Sequence, residues 1–69
     1  MRRIYYFLAN ERLQVGELVI VKYDGLKKVT ASDIYQAIFY VLKERNMMVY
    51  EKGDVVPITP LINGEIYKI

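Results

Sequence analysis

With 69 residues, ten Lys and Arg against eight Asp and Glu, and a net charge of +2, the chain has room for one domain (1–69) and no strong preference for an anionic or a cationic partner. It holds no Cys and no His, which excludes disulfides and thiolate metal sites and removes the commonest nucleophile and general base of catalysis. A chain this short buries only about 60% of the surface it exposes when unfolded. Without those staples, association with a partner is the remaining way to supplement a thin core.

Arg3 to Ala9 reads as a strand, short, aromatic and β-branched, closed by Asn10-Glu11. Arg2 and Arg3 ahead of this run look like the start of a signal peptide, but Ile4 to Ala9 is six residues, below the ~7–15 that such a region needs. No stretch approaches the ~20 apolar residues of a membrane span, so a soluble, cytoplasmic protein is expected. Gly16 opens Glu17 to Tyr23, the clearest strand of the chain. Asp24-Gly25 then supplies the positive φ angles of a type I′ turn, and Leu26 to Val29 returns as a short strand.

Ala31 to Arg45 carries no Gly or Pro and is expected to be the one helix. Thr30 serves as N-cap, Asp33 completes a capping box, Lys43 and Arg45 suit the C-terminal dipole, and Asn46 is the left-handed cap. On a helical wheel, Ile34, Tyr35, Ala37, Ile38, Phe39, Val41 and Leu42 span an arc of about 200°, wider than one sheet can cover. Tyr35 and Phe39 would then protrude as an exposed aromatic pair, the expected contact surface of a homodimer. Met47 to Glu51 and Asp54 to Ile58 follow as strands around a Lys52-Gly53 turn, with Pro57 placing the second at a sheet edge. Thr59-Pro60 breaks that run, and Asn63-Gly64 joins Leu61-Ile62 to a strand from Glu65 to Ile69. The expected fold is therefore α+β, with one central helix on a small antiparallel sheet or partly open barrel.

Gly16 to Val21 matches Gly53 to Ile58 in type and order. A Gly-acid turn before a buried strand is common chemistry, and the echo is too short to establish a repeat.

Catalysis has little to work with. The acids are scattered over turns and helix ends, no two spaced as an evident pair, and Ser32 sits where serine caps a helix. No metal or cofactor is expected. Nucleic-acid binding has a better case, because Arg3, Tyr5 and Phe7 share one face of the first strand and Lys22, Lys27, Lys28 and Lys52 could extend a basic groove. The stretch Ile4 to Asn10 resembles the aromatic first strand of an RNA-recognition fold. The second signature and second helix of that fold are missing, so no family is assigned. The expectation is a non-enzymatic interaction protein, homodimeric and contacting other proteins, with single-stranded nucleic-acid or DNA binding as the alternative.

Overall fold

The computed structural model describes residues 3–33 and 35–61. It is nearly all β: β1 (Tyr5–Leu8), β2 (Leu13–Gln14), β3 (Leu18–Lys22), β4 (Gly25–Lys28), β5 (Phe39–Val41), β6 (Val49–Tyr50) and β7 (Val55–Pro60), with one 3₁₀ turn at Ala31–Asp33. Five strands form an antiparallel sheet in the order β1-β7-β5-β3-β4, and β2 pairs with β6 in a separate ribbon. The sheet curls until its two ends meet. Ala9 bridges Leu26 in parallel, and the Asn10 N–H donates to the Leu26 carbonyl at 2.9 Å. Val19, Leu26, Val41, Val56 and Ile58 fill the interior together with Leu13 and Tyr50 from the ribbon.

The central helix is not formed. Of the segment expected to be helical, only Ala31–Asp33 makes a helical turn, and Phe39–Val41 becomes the middle strand of the sheet. Only one arm of the capping box forms: Asp33 Oδ2 accepts the Thr30 N–H at 3.1 Å and the Thr30 hydroxyl at 2.7 Å, while the Asp33 N–H donates to the Thr30 carbonyl at 2.9 Å rather than to its hydroxyl. It stops a chain that turns once and leaves. The reason lies in Ile38-Phe39-Tyr40-Val41, an aromatic and β-branched run that favours a strand flanked on both sides. A continuous apolar run of that length has no period of its own, so the wide helical arc was the signature of a central strand. No left-handed cap forms at Asn46 either; Arg45 takes the positive φ, at 56°.

Two further expectations are corrected by the pairing. The β3–β4 loop is Tyr23-Asp24, and Gly25 (φ 129°) pairs with Lys22 as the first residue of β4. A Cβ there would lie 2.7 Å from the Leu8 carbonyl oxygen, so glycine is what lets β4 approach β1 and close the ring. Pro57 does not mark an edge, since β7 lies between β1 and β5. Its missing N–H falls where β5 ends: the Leu42 N–H donates to the Pro57 carbonyl at 2.9 Å, and the reciprocal bond to the Leu42 carbonyl cannot form. That carbonyl accepts the Tyr50 hydroxyl instead, at 2.8 Å. Thr59-Pro60 likewise continues β7 rather than breaking it. The hairpin expected at Asn63-Gly64 lies outside the described residues.

The echo between Gly16–Val21 and Gly53–Ile58 is more than a shared turn. Gln14–Glu17 and Glu51–Asp54 each carry a glycine third, at φ 93° and 95°, and each returns the fourth N–H to the first carbonyl, at 3.1 and 3.0 Å. In each, the acid's carboxylate accepts the first residue's N–H, Glu17 from Gln14 at 2.6 Å and Asp54 from Glu51 at 2.8 Å. Gly16 then donates to the Val41 carbonyl and Gly53 to that of Ala9, while Val41 and Ala9 donate back to Glu17 and Asp54. The registers Val19↔Phe39 and Val56↔Phe7 extend the match, and Leu13 pairs with Tyr50 between the halves. Hydrogen bond for hydrogen bond, β3 with β5 is equivalent to β7 with β1.

Candidate interaction surface

That equivalence exposes a difference. β5 is flanked by β3 and β7, whereas its counterpart β1 has β7 on one side and, on the other, among the described residues, only the end of β4, which meets it at Leu8 and Ala9. The backbone directions follow from the bonds present. Ala9 exchanges bonds with the Gly53-Asp54 turn and the Arg3 carbonyl accepts the Thr59 hydroxyl, so odd-numbered residues of the strand bond towards β7. Asn10 bonds towards β4, so by strand alternation the amides of Ile4 and Tyr6 point away from β7. The rest of this seam is closed by side chains: Glu11 Oε2 accepts the Lys28 N–H at 3.0 Å, and Asn10 Nδ2 donates to Asp24 at 2.6 Å.

β1 is apolar on both faces. Tyr5 and Phe7 lie opposite Ile58 and Val56 and share their face, while Tyr6 and Leu8 lie opposite Pro57 and Val55 on the other. Yet Ile4, Tyr5, Tyr6, Phe7 and Leu8 are all 39–56% exposed. Edge strands are ordinarily blunted by lysine, proline or a bulge; Ile4 to Leu8 contains no Lys, Pro or Gly. Beside its outer face, Tyr6, Glu44, Arg45, Met47, Tyr50 and Val55 line an open cavity of about 250 Å³. Arg45 stands there in the left-handed region, which costs a non-glycine residue about 1 kcal/mol or more. Burial raises the Tyr50 phenol pKa, keeping its hydroxyl protonated as donor to Leu42.

The residues singled out from sequence are distributed unevenly. Tyr35 is 93% exposed in the connection before β5. Phe39 sits in β5, packed against the core, its ring edge-on to that of Tyr5 at 6.3 Å and 85°. No helix joins these two into one aromatic flank. Arg3, Tyr5 and Phe7 do share a face of an exposed strand. The lysines make no common groove with them: Lys22 binds Asp33 at 3.1 Å, Lys28 lies 3.7 Å from Glu17, Lys27 is on the opposite face of β4 from Lys28, and Lys52 is in the turn before β7. What the sequence reading passed over is the other face, Ile4, Tyr6 and Leu8 with Val55 and Met47. Their alternation was legible, but an aromatic strand is ordinarily buried on both faces.

Among the described residues, no group of three or more Asp and Glu is placed to hold a metal ion, and no helix is long and apolar enough to cross a membrane. Comparison with protein-family models, with curated proteins and with solved structures returns no match.

Proposed function

We propose that this is a non-enzymatic interaction module that binds protein partners through β1 and the apolar surface beside it. The observation that carries the reading is a strand with the composition of a central strand standing at an open edge. The backbone groups of Ile4 and Tyr6 are directed outward, with large apolar side chains on either face. Such an edge is a template for strand addition: main-chain hydrogen bonds supply affinity, and alternate side-chain pockets supply selectivity. The surface is apolar rather than basic, and Lys22 and Lys28 are already engaged by carboxylates, which favours a protein partner over a nucleic acid.

The test uses the tagged full chain and its Tyr6→Glu variant as baits in cell extract, with half of each sample treated with nuclease. Tyr6 is outward-facing and 56% exposed, so the variant keeps its fold, checked by circular dichroism. Protein captured by the wild type, retained after nuclease and reduced at least tenfold by Tyr6→Glu is the expected result. Capture that disappears with nuclease, or salt-sensitive binding of single-stranded oligonucleotides at about 50 mM salt, would instead support the nucleic-acid reading. Capture unaffected by Tyr6→Glu would move the site elsewhere.

A further inference from the structure

We infer that the open edge of β1 is filled by a second copy of this chain, paired antiparallel through β1 about a two-fold axis centred on Tyr5. The inference rests on the docking reading above and names its partner. It begins from the pseudo-symmetry of the fold. On β5 the second neighbour is an antiparallel strand, β7, and among the described residues β1, its equivalent, has no such neighbour along Ile4 to Phe7.

The free stretch is self-complementary. Ile4 and Tyr6 direct their amides and carbonyls outward while Tyr5, between them, bonds towards β7. A two-fold axis through Tyr5 sets Ile4 opposite the partner's Tyr6, and Tyr6 opposite the partner's Ile4, in hydrogen-bonded pairs. Tyr5 then meets the partner's Tyr5 in a non-hydrogen-bonded pair. A register centred on Tyr6 would instead set Leu8 opposite the partner's Ile4 in a hydrogen-bonded pair, where Gly25 of β4 already sits.

Side chains agree with this register. Arg3, on the face of Tyr5 and Phe7, comes opposite the partner's Phe7, a cation over an aromatic ring. Among the described residues Arg3 forms no ion pair within 4 Å. Ile4 to Leu8 with Met47 and Val55 are each 39–56% exposed, and contiguous exposed apolar surface of this kind marks an interaction site.

The experiment uses purified full-length protein. Sedimentation equilibrium at micromolar concentration should give twice the 8.1 kDa chain mass. Tyr6→Pro deletes an outward donor without touching the bonds to β7 and should give a monomer. The chain has no cysteine, so single cysteines report the register. Tyr5→Cys should be disulfide-linked to its twin under mild oxidation at least tenfold faster than Tyr6→Cys, because facing non-hydrogen-bonded residues have Cα atoms ~4.5 Å apart and residues offset by two exceed the ~7 Å limit for a disulfide. If Tyr6→Pro does not fold, the ratio of the two linking rates decides alone. A wild type sedimenting as a monomer at about 100 μM, or Tyr6→Cys linking as fast as Tyr5→Cys, would overturn the inference. A monomer that still captures protein in a Tyr6-dependent way would leave the docking reading standing with a different occupant.

Discussion

Replacing Tyr50 by Phe removes one hydroxyl from a residue that is otherwise fully buried, and leaves the Leu42 carbonyl without the donor it has in place of the Pro57 N–H. The ring and its contacts with Leu13 remain, so the loss is confined to that bond and the stranded acceptor, about 1–2 kcal/mol. For a domain of this size, 1 kcal/mol moves the midpoint by about 4–8 °C, so Tyr50→Phe should melt roughly 5–15 °C below wild type. The Tyr50 hydroxyl and Pro57 are also coupled through the Leu42 carbonyl. In Pro57→Ala the backbone regains an N–H aimed at the same carbonyl, at a cost of about 0.4–1 kcal/mol from a freer unfolded chain. Tyr50→Phe introduced into that background should then cost no more than about 0.5 kcal/mol, a coupling of roughly 1 kcal/mol. Thermal and urea melts of the four proteins followed by circular dichroism measure the cycle. Additivity within about 0.3 kcal/mol would refute the idea that Tyr50 substitutes for the donor that proline lacks.

Other consequences are as direct. Gly25→Ala places a Cβ 2.7 Å from the Leu8 carbonyl oxygen at φ 129° and should destabilise by about 2–3 kcal/mol. Gly53→Ala, with nothing within 4 Å at φ 95°, should cost only about 1 kcal/mol; equal losses would mean that the β1–β4 seam is not sterically set. The Asp33 pKa is lowered by the Thr30 hydroxyl, then by the Lys22 ammonium, against the opposing effect of burial. Its contribution to stability is therefore complete above the ordinary carboxylate pKa of about 4 and lost as pH falls through the lower folded value. Wild-type stability should drop below about pH 4 more steeply than that of Asp33→Asn, measured by urea melts from pH 7 to pH 2; parallel curves would contradict the assignment.

Much of the strand layout was legible because turns and alternation are local. Lys52-Gly53, the run from Leu18 to Lys22 and the aromatic strand after Arg3 all fall where the sequence places them. The helix was misread because the Asp33 carboxylate does reach back to the Thr30 N–H, and no local signal says how many turns follow. What decided against a helix is the slot between β3 and β7, which exists only once both strands are in place. Pro57 was assigned to an edge for the same reason: its tolerance inside the sheet depends on Tyr50 arriving from a distant ribbon. The Gly-acid echo was dismissed on length, though the carboxylate bonds of Glu17 and Asp54 show the two turns to be chemically alike. The open edge of β1 could not be read from sequence, since Tyr5, Tyr6 and Phe7 have the composition of residues buried on both faces.

The central claim, that the edge of β1 left unpaired among the described residues is filled by a second chain, is tested most directly by amide hydrogen exchange at Tyr6 and Phe7 over a concentration series. Phe7 bonds towards β7 within the chain and Tyr6 points to the open side. The account predicts that protection of the Tyr6 amide rises with protein concentration from near the exposed limit, while that of Phe7 stays constant. A Tyr6 amide as protected as Phe7 at every concentration, or exposed at all of them, would contradict it.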